Sequence, residues 1–102
     1  MGEIVGVTIK PVYILQDSFF SGAEKISKVR YSADFVVQWA DGIIEVIDVK
    51  TMATPKEELM RILFLKKFPA LKLTWLCRSE KHGNADGLID YFKLKRIRRE
   101  KK

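Results

Sequence analysis

The segment YSADFVVQWADGIIEVIDVK, residues 31–50, decides the fold that this sequence predicts. Its two halves, residues 31–39 and 43–49, are rich in Val, Ile and aromatic side chains, which strands favour. The Asp-Gly pair between them is typical of a tight turn. We therefore predict a β-hairpin. Its apolar strands are interrupted by Asp34 and Asp48, and carboxylates are seldom buried without a partner.

The length of the turn determines whether these two carboxylates meet. A three-residue loop at positions 40–42 would place Asp34 directly opposite Asp48, with Gly42 in the left-handed conformation that such loops require. A two-residue Asp-Gly turn would place Asp34 opposite Val49, with the carboxylates on opposite faces. The Asp-Gly pair alone favours the shorter turn, so the sequence leaves the register open. We predict the three-residue loop, which brings the carboxylates to about 5 Å apart at Cβ.

Two opposed carboxylates repel each other, so the pair needs a cation between them. Mg²⁺ suits such a pair, because it uses one or two carboxylates together with water and phosphate oxygens. Lys50 shares a face with Asp48 and could stabilise charge on a phosphoryl group. The alternative is an ordinary ion pair between Asp34 and Lys50, with Asp48 at a solvated edge. The Asp-x-Lys spacing is short and recurs by chance.

These residues, in this order, resemble the core of the PD-(D/E)XK nuclease superfamily. The similarity is strongest to small phage-encoded endonucleases related to Holliday-junction resolvases. Ala33-Asp34 is similar to the "PD" half-motif, with Ala in place of Pro, and Asp48-Val49-Lys50 is similar to "(D/E)XK". The resemblance extends over roughly residues 3–76.

The resemblance implies a metal-dependent DNA endonuclease that acts in phage recombination or repair, on branched DNA or by nicking. Asp34 and Asp48, with the Val49 carbonyl, would bind Mg²⁺ or Mn²⁺. Asp34, Asp48 and Lys50 would be the catalytic residues, with Lys50 assisting the attack of water on a DNA phosphodiester. We further expect a homodimer, from the small size and the need to cut two strands. The expected location is the cytoplasm, that of the bacterial host if the gene is phage-encoded.

Two departures from the family pattern leave a second function open. Family members usually begin with a helix that carries a further glutamate, whereas this sequence begins with a predicted strand. Met60 stands where Lys is frequent. A partner subunit or Glu24 could supply the missing glutamate; Glu57 is set aside because it fits a helix-capping role. The alternative function is a catalytically silent DNA-binding module with a nuclease-like fold.

Composition and charge favour a single DNA-binding domain. A chain of 102 residues allows one domain, and its single Cys allows no internal disulfide. No apolar run approaches the ~18 residues that span a membrane. We place a nuclease-like domain at residues 1–92 and a basic helix end at 93–102, which holds seven basic residues and one acidic residue. The residues predicted to contact DNA phosphates are Lys56, Arg61, Lys93, Lys95, Arg96, Arg98 and Arg99.

A small basic RNA-binding protein would also fit the charge, but it leaves Asp34 and Asp48 unexplained. For Lys56 and Arg61 taken singly, the sequence favours a solvated helix face over a DNA contact. We expect Arg61 to be largely solvated.

The predicted fold class is α+β, with a mixed sheet, a restriction-endonuclease-like core and the order βββαβα. We predict strands at residues 3–16, 31–39, 43–49 and 71–77, with a break or an edge at Pro11. Residues 17–27 are predicted to be a loop, with Phe19 and Phe20 folded back onto the core. The alternative for these two rings is stacking on unpaired bases or a dimer contact.

Two helices complete the prediction. The first begins at Thr54 as N-cap, with Pro55 and Glu57 in its first turn. Its core-facing stripe is predicted to consist of Leu59, Ile62, Leu63 and Leu65. The second helix is predicted over residues 87–101, capped by Asn84 or Asp86.

Overall fold

The computed structural model describes residues 2–79, 81–83 and 87–100. The fold is α+β, as predicted. The central sheet has five strands in the order β1-β6-β7-β8-β9, and two further strand pairs extend from it. The elements are β1 Ile4–Ile9, β2 Val12–Gln16, β3 Phe19–Ser21, β4 Glu24–Ile26, β5 Val29–Ser32, β6 Phe35–Trp39, β7 Ile44–Val49, α1 Pro55–Lys67, β8 Lys72–Arg78, β9 Leu88–Asp90 and α2 Tyr91–Glu100.

The sheet is mixed because β7 and β8 run parallel, joined by α1, while the other neighbouring strands are antiparallel. Both helices pack on one face of it. Phe64 of α1 packs against Val46 of β7. Leu94 of α2 packs against Trp75 of β8, the strand position beside Asp48. Asp48 therefore lies on the face that the helices cover.

Residues 4–39 form one long antiparallel ribbon rather than separate strands and a loop. β1 pairs with β6, β2 with β5 and β3 with β4, and a two-residue turn at Gly22 and Ala23 closes the tip. The prediction of a loop over residues 17–27 is therefore wrong. The predicted order βββαβα is incomplete for the same reason, since the ribbon and the short edge strand β9 add strands to it.

The ribbon bends where Lys10 and Pro11 face Ala33 and Asp34. Lys10 adopts a left-handed conformation with φ 52°, and its amide donates to the Asp34 carbonyl at 2.7 Å. The Ala33 amide donates to the Pro11 carbonyl at 3.1 Å. Pro11 cannot donate a hydrogen bond, so it breaks the strand as predicted. The bend carries β2 and β5 over α1 and leaves Asp34 at the corner.

The tip of the ribbon exposes Phe19 and Phe20, whose residues are 47% and 70% solvent-accessible. The prediction that these rings fold onto the core is wrong. The two strands at the tip pair only with each other within the described residues, so no second layer is present to bury either ring.

Helix α1 begins as predicted but turns a different face to the sheet. Thr54 is its N-cap and forms a reciprocal capping box with Glu57. Phe64 is fully buried, packed between Tyr13 and Tyr31 at centroid distances of 5.1 and 5.2 Å. The predicted core stripe is wrong, because its members are all exposed: Leu59, Ile62, Leu63 and Leu65.

Helix α2 begins at Tyr91 rather than at residue 87. Leu88–Asp90 pairs with β8 as a strand, which delays the start of the helix. The Asp90 carboxylate caps it by accepting from the amides of Phe92 and Lys93 at 3.0 and 3.1 Å. The predicted caps, Asn84 and Asp86, lie outside the described residues. In the described part of the chain, neither helix is long and apolar enough to cross a membrane.

Candidate metal and catalytic centre

The hairpin between β6 and β7 has the predicted three-residue loop. The Trp39 amide donates to the Ile43 carbonyl at 2.9 Å, and Gly42 has a left-handed φ of 92°. Phe35 lies opposite Ile47. Asp34 directly precedes β6; its amide donates to the Ile47 carbonyl at 3.2 Å, and its carboxylate accepts from the Val49 amide at 2.8 Å. Asp34 thus contacts both neighbours of Asp48 in β7, so the two acids lie close together at the bend that precedes β6.

The two carboxyl groups interact directly in a partly buried setting. The Asp48 residue is only 5% exposed. Burial raises the pKa of Asp48 above its ordinary value, and hydrogen bonding with Asp34 raises it further, while Lys50 and Tyr31 act in the opposite direction. The site therefore favours a positive species, a proton or a metal ion, between the two carboxylates.

Asp34 is held by the backbone of β7. Its Oδ2 accepts from the Val49 amide at 2.8 Å. In an extended strand the amide and the carbonyl of one residue point to the same side, so we expect the Val49 carbonyl beside Asp34.

Lys50 is placed by two acids, neither of which is Asp34. Its ammonium group lies 3.2 Å from Asp48 Oδ2 and also contacts Glu57 Oε2. The alternative of an ordinary ion pair between Asp34 and Lys50, with Asp48 at a wet edge, does not match this arrangement. Burial lowers the pKa of Lys50, but the hydrogen bond to Glu57 and the charge of Asp48 more than offset this and raise it.

Glu57 belongs to the site as well as to the helix cap. Its Oε1 accepts from the Thr54 amide at 3.1 Å, while Oε2 contacts Lys50. The hydrogen bond to Lys50 lowers the pKa of Glu57. The sequence analysis excludes Glu57 from the site because of its capping role. A carboxylate has two oxygens, however, and can make both contacts.

Tyr31 and Trp75 form a hydrogen-bond chain to Asp48. Neither residue was predicted to be part of the site. The Tyr31 hydroxyl donates to Asp48 Oδ2 at 3.0 Å and accepts from Trp75 Nε1 at 2.8 Å. Burial raises the pKa of Tyr31, so the phenol remains a neutral donor. Alternation along one straight strand would set Tyr31 and Asp34 on opposite faces. The chain bends at Ala33, so the alternation does not continue from Tyr31 to Asp34.

The donor set fits Mg²⁺ or Mn²⁺ with few protein ligands. Among residues 2–79, 81–83 and 87–100, no group of three or more His, Cys, Asp or Glu side chains could hold a metal. Mg²⁺ commonly takes one or two carboxylates and completes its shell with water and phosphate. The contacts from Val49, Tyr31 and Lys50 reach Oδ2 of Asp34 and of Asp48, so these two carboxylates are the side chains that would hold such a cation.

Two candidate residues lie away from this centre. Glu24 is in β4 at the tip of the ribbon, separated from Asp34 by the whole of β5. Met60, at the position where the resemblance leads one to expect Lys, packs against the core around Phe64.

Glu45 is also buried, but it serves the opposite face of the sheet. Its carboxylate accepts from Trp39 Nε1 at 3.0 Å and from the Thr74 hydroxyl. Three positions separate Glu45 from Asp48 on one strand, so their side chains point to opposite faces.

Two of the predicted DNA-contacting residues contact other side chains of the protein, and the others are exposed. Arg61 is partly buried, with its guanidinium 4.3 Å from the Phe92 ring centroid. The expectation that Arg61 is largely solvated is therefore wrong, because the ring of α2 covers it. Lys95 pairs with Glu58 at 3.2 Å. The remaining members are exposed: Lys56, Lys93, Arg96, Arg98 and Arg99.

Comparison with known families gives one match. A family model with the description "Protein of unknown function (DUF1064)" matches residues 1–84. The chain belongs to the DUF1064 family. The match includes the whole centre from Tyr31 to Trp75 and ends before α2. No curated protein and no solved structure matches the chain. DUF1064 membership by itself assigns no activity.

Proposed function

We propose that this chain is a divalent-metal-dependent DNA endonuclease related to the PD-(D/E)XK superfamily. It would act in phage recombination or repair, on branched DNA or by nicking, in the cytoplasm of the bacterial host. The observation that carries the proposal is the position of Asp34, bonded to Ile47 and Val49 on either side of Asp48, with the Lys50 ammonium 3.2 Å from Asp48. A buried Asp48 next to a half-buried Asp34 costs stability, and acids with such perturbed pKa values are frequent at functional sites.

In the proposed mechanism Asp34, Asp48 and the Val49 carbonyl would hold Mg²⁺ or Mn²⁺. The bound cation would activate water and neutralise charge that develops on the phosphodiester. Lys50 is an ammonium group and donates to a phosphate oxygen in the transition state. Tyr31 and Lys50 hold Oδ2 of Asp48, which orients its other oxygen.

Glu57 is a positioning residue in this mechanism. It keeps Lys50 charged and fixes its direction from the first turn of α1. Because Glu57 also caps the helix, the start of α1 and the catalytic ammonium are positioned by one side chain.

DNA affinity would come from the exposed basic residues of α2, which include Arg96, Arg98 and Arg99. Contacts to phosphates are independent of sequence and weaken steeply with salt. Because the contacts proposed here are to phosphates, we expect recognition by the shape of the DNA rather than by its sequence.

The test is cleavage of labelled duplex, flapped and four-way DNA with Mg²⁺ or Mn²⁺. We expect cleavage by the wild type that Asp48→Ala and Lys50→Ala both abolish. Asp41→Asn is the matched control, because Asp41 is an exposed carboxylate in the turn of the same hairpin. Cleavage that persists at the wild-type rate in Asp48→Ala would refute the proposal.

The second candidate function is a silent DNA-binding module. It is favoured by the small donor set, in which two carboxylates are the only acidic ligands proposed for the metal. The same assay separates the two functions. DNA binding without cleavage by wild type, Asp48→Ala and Lys50→Ala alike would establish the module.

We propose a homodimer as the assembly that cuts two strands. The exposed Leu59, Ile62 and Leu63 form an apolar stripe on α1, which is typical of protein–protein contact surfaces. Sedimentation equilibrium should give twice the chain mass, and Leu63→Lys should shift it toward the monomer. A monomer at every concentration would contradict the dimer.

A further inference from the structure

A cavity of about 480 Å³ lies next to the candidate centre, between the segment after β7, the first turn of α1 and α2. Its floor includes Cys77, Tyr91 and Leu94, all of them buried or nearly so. Its rim includes Lys95, Arg98 and Arg99. The volume is within the range of sites that bind small organic ligands.

The cavity is built into the fold beside Lys50. Thr51, which follows Lys50, lines it, and the Lys50 amide is anchored to the Leu76 carbonyl at 2.7 Å. The Ala53 amide donates to the Tyr91 hydroxyl at 3.1 Å, which ties this segment to the start of α2. A ligand in the cavity would therefore sit one residue beyond the proposed catalytic lysine.

The basic side chains at the rim differ in whether an acidic side chain already pairs with them. Lys95 is engaged by Glu58 at 3.2 Å. Arg98 and Arg99 have no ion pair with any acidic side chain of the described residues. The cavity thus combines an apolar floor that carries one aromatic ring with two guanidinium groups at its mouth.

We propose that this cavity receives an unpaired nucleotide of the DNA substrate, with its base on the floor near Tyr91 and Leu94 and its phosphate at Arg98 and Arg99. A nucleotide has the required pair of features, a flat base and an anionic phosphate. A base that is paired in a duplex cannot enter a recess between a loop and a helix, so it must be extruded or unpaired. The inference rests on the proposed function and specifies its substrate: DNA with an unpaired nucleotide next to the bond that is cut.

The experiment measures binding without cleavage, in EDTA. Fluorescence anisotropy gives dissociation constants for a duplex, for the same duplex with a one-nucleotide bulge, and for a free mononucleotide. The bulged base is 2-aminopurine in a parallel series, because its emission reports transfer into an apolar site. The variants are Arg98→Ala/Arg99→Ala at the cavity and Lys93→Ala/Arg96→Ala on the same helix outside it. Both remove two positive charges, and Ala preserves helix propensity.

We expect the wild type to bind bulged DNA about tenfold more tightly than duplex, the scale of one base contact. The Arg98→Ala/Arg99→Ala variant should lose this preference, and Lys93→Ala/Arg96→Ala should keep it while binding both DNAs more weakly. Equal preference in the two double variants would overturn the inference. Binding of the mononucleotide as tightly as bulged DNA would overturn it too, in favour of a free nucleotide ligand. Neither result depends on cleavage, so the proposed function is judged separately by the cleavage assay.

Discussion

Replacing Tyr31 with Phe tests the hydrogen-bond chain that supports Asp48. The substitution removes a buried hydroxyl that donates to Asp48 Oδ2 at 3.0 Å and accepts from Trp75 Nε1 at 2.8 Å. A hydrogen bond to a charged group contributes about 1.5–3 kcal/mol, and a buried donor left unsatisfied costs about 1–3 kcal/mol. Allowing for relaxation, we expect the free energy of unfolding to fall by about 2–4 kcal/mol, and Tm by at least about 8 °C.

Urea unfolding monitored by tryptophan fluorescence measures this loss, and Tyr13→Phe is the matched control. Tyr13 packs edge-on against Phe64 at 5.1 Å and is only partly buried. Removal of its hydroxyl should change stability by no more than about 0.5 kcal/mol. A Tyr31→Phe variant within 0.5 kcal/mol of the wild type, or one no less stable than Tyr13→Phe, would refute the proposed chain from Trp75 through Tyr31 to Asp48.

Three further predictions follow from the site and the core. Because the pKa of Asp48 is raised, the folded state holds its proton more tightly than the unfolded state, so the stability that protonated Asp48 contributes is lost as pH rises from about 4 through the raised pKa. Urea unfolding without metal should therefore show a decline in stability across that window that Asp48→Asn lacks. Identical pH profiles in the two proteins would contradict the raised pKa of Asp48. Contact with Glu57 raises the pKa of Lys50, so Glu57→Gln should move the alkaline limit of cleavage to lower pH. An unmoved limit would show that Glu57 does not set the pKa of Lys50, which also contacts Asp48. Phe64→Ala should lower the free energy of unfolding by about 3–5 kcal/mol, and Phe20→Ala by less than about 0.5 kcal/mol, as measured by thermal unfolding. Similar losses in the two variants would contradict the burial of Phe64 and the exposure of Phe20.

Features set by nearby residues could be predicted from the sequence. The pairing of β6 with β7 depends on the length of one turn, for which the sequence leaves two possibilities, and Gly42 takes the left-handed position of the longer one. The start of α1 follows from Thr54 and Glu57, which are three residues apart. In both cases the interacting groups lie close in sequence, so local chemistry reduces the possibilities to one or two.

Features set by distant residues could not be predicted in this way. Helix α1 has apolar residues on two sides, and periodicity alone does not choose between Leu59 with Leu63 and Met60 with Phe64. The choice depends on the ring of Tyr31, which the ribbon brings over the helix and packs against Phe64. The ribbon in turn depends on pairing between residues that are far apart in the sequence.

The contact of Tyr31 with Asp48 illustrates the same limit inside the site. It exists because the ribbon bends at Ala33 and Asp34, opposite Lys10 with its left-handed backbone. Nothing in the alternation of residues 29–39 indicates that bend, so the sequence identified the two acids and the lysine but not the tyrosine that supports them.

The most direct test of the metal centre is titration with Mn²⁺, with free Mn²⁺ followed by electron paramagnetic resonance. We expect the wild type and Asp41→Asn to bind one Mn²⁺ ion that Asp34→Asn and Asp48→Asn each fail to bind. Asn retains the size of the side chain and removes its charge, so loss of binding would follow from the carboxylate itself. Wild-type Mn²⁺ affinity in Asp48→Asn would contradict the account.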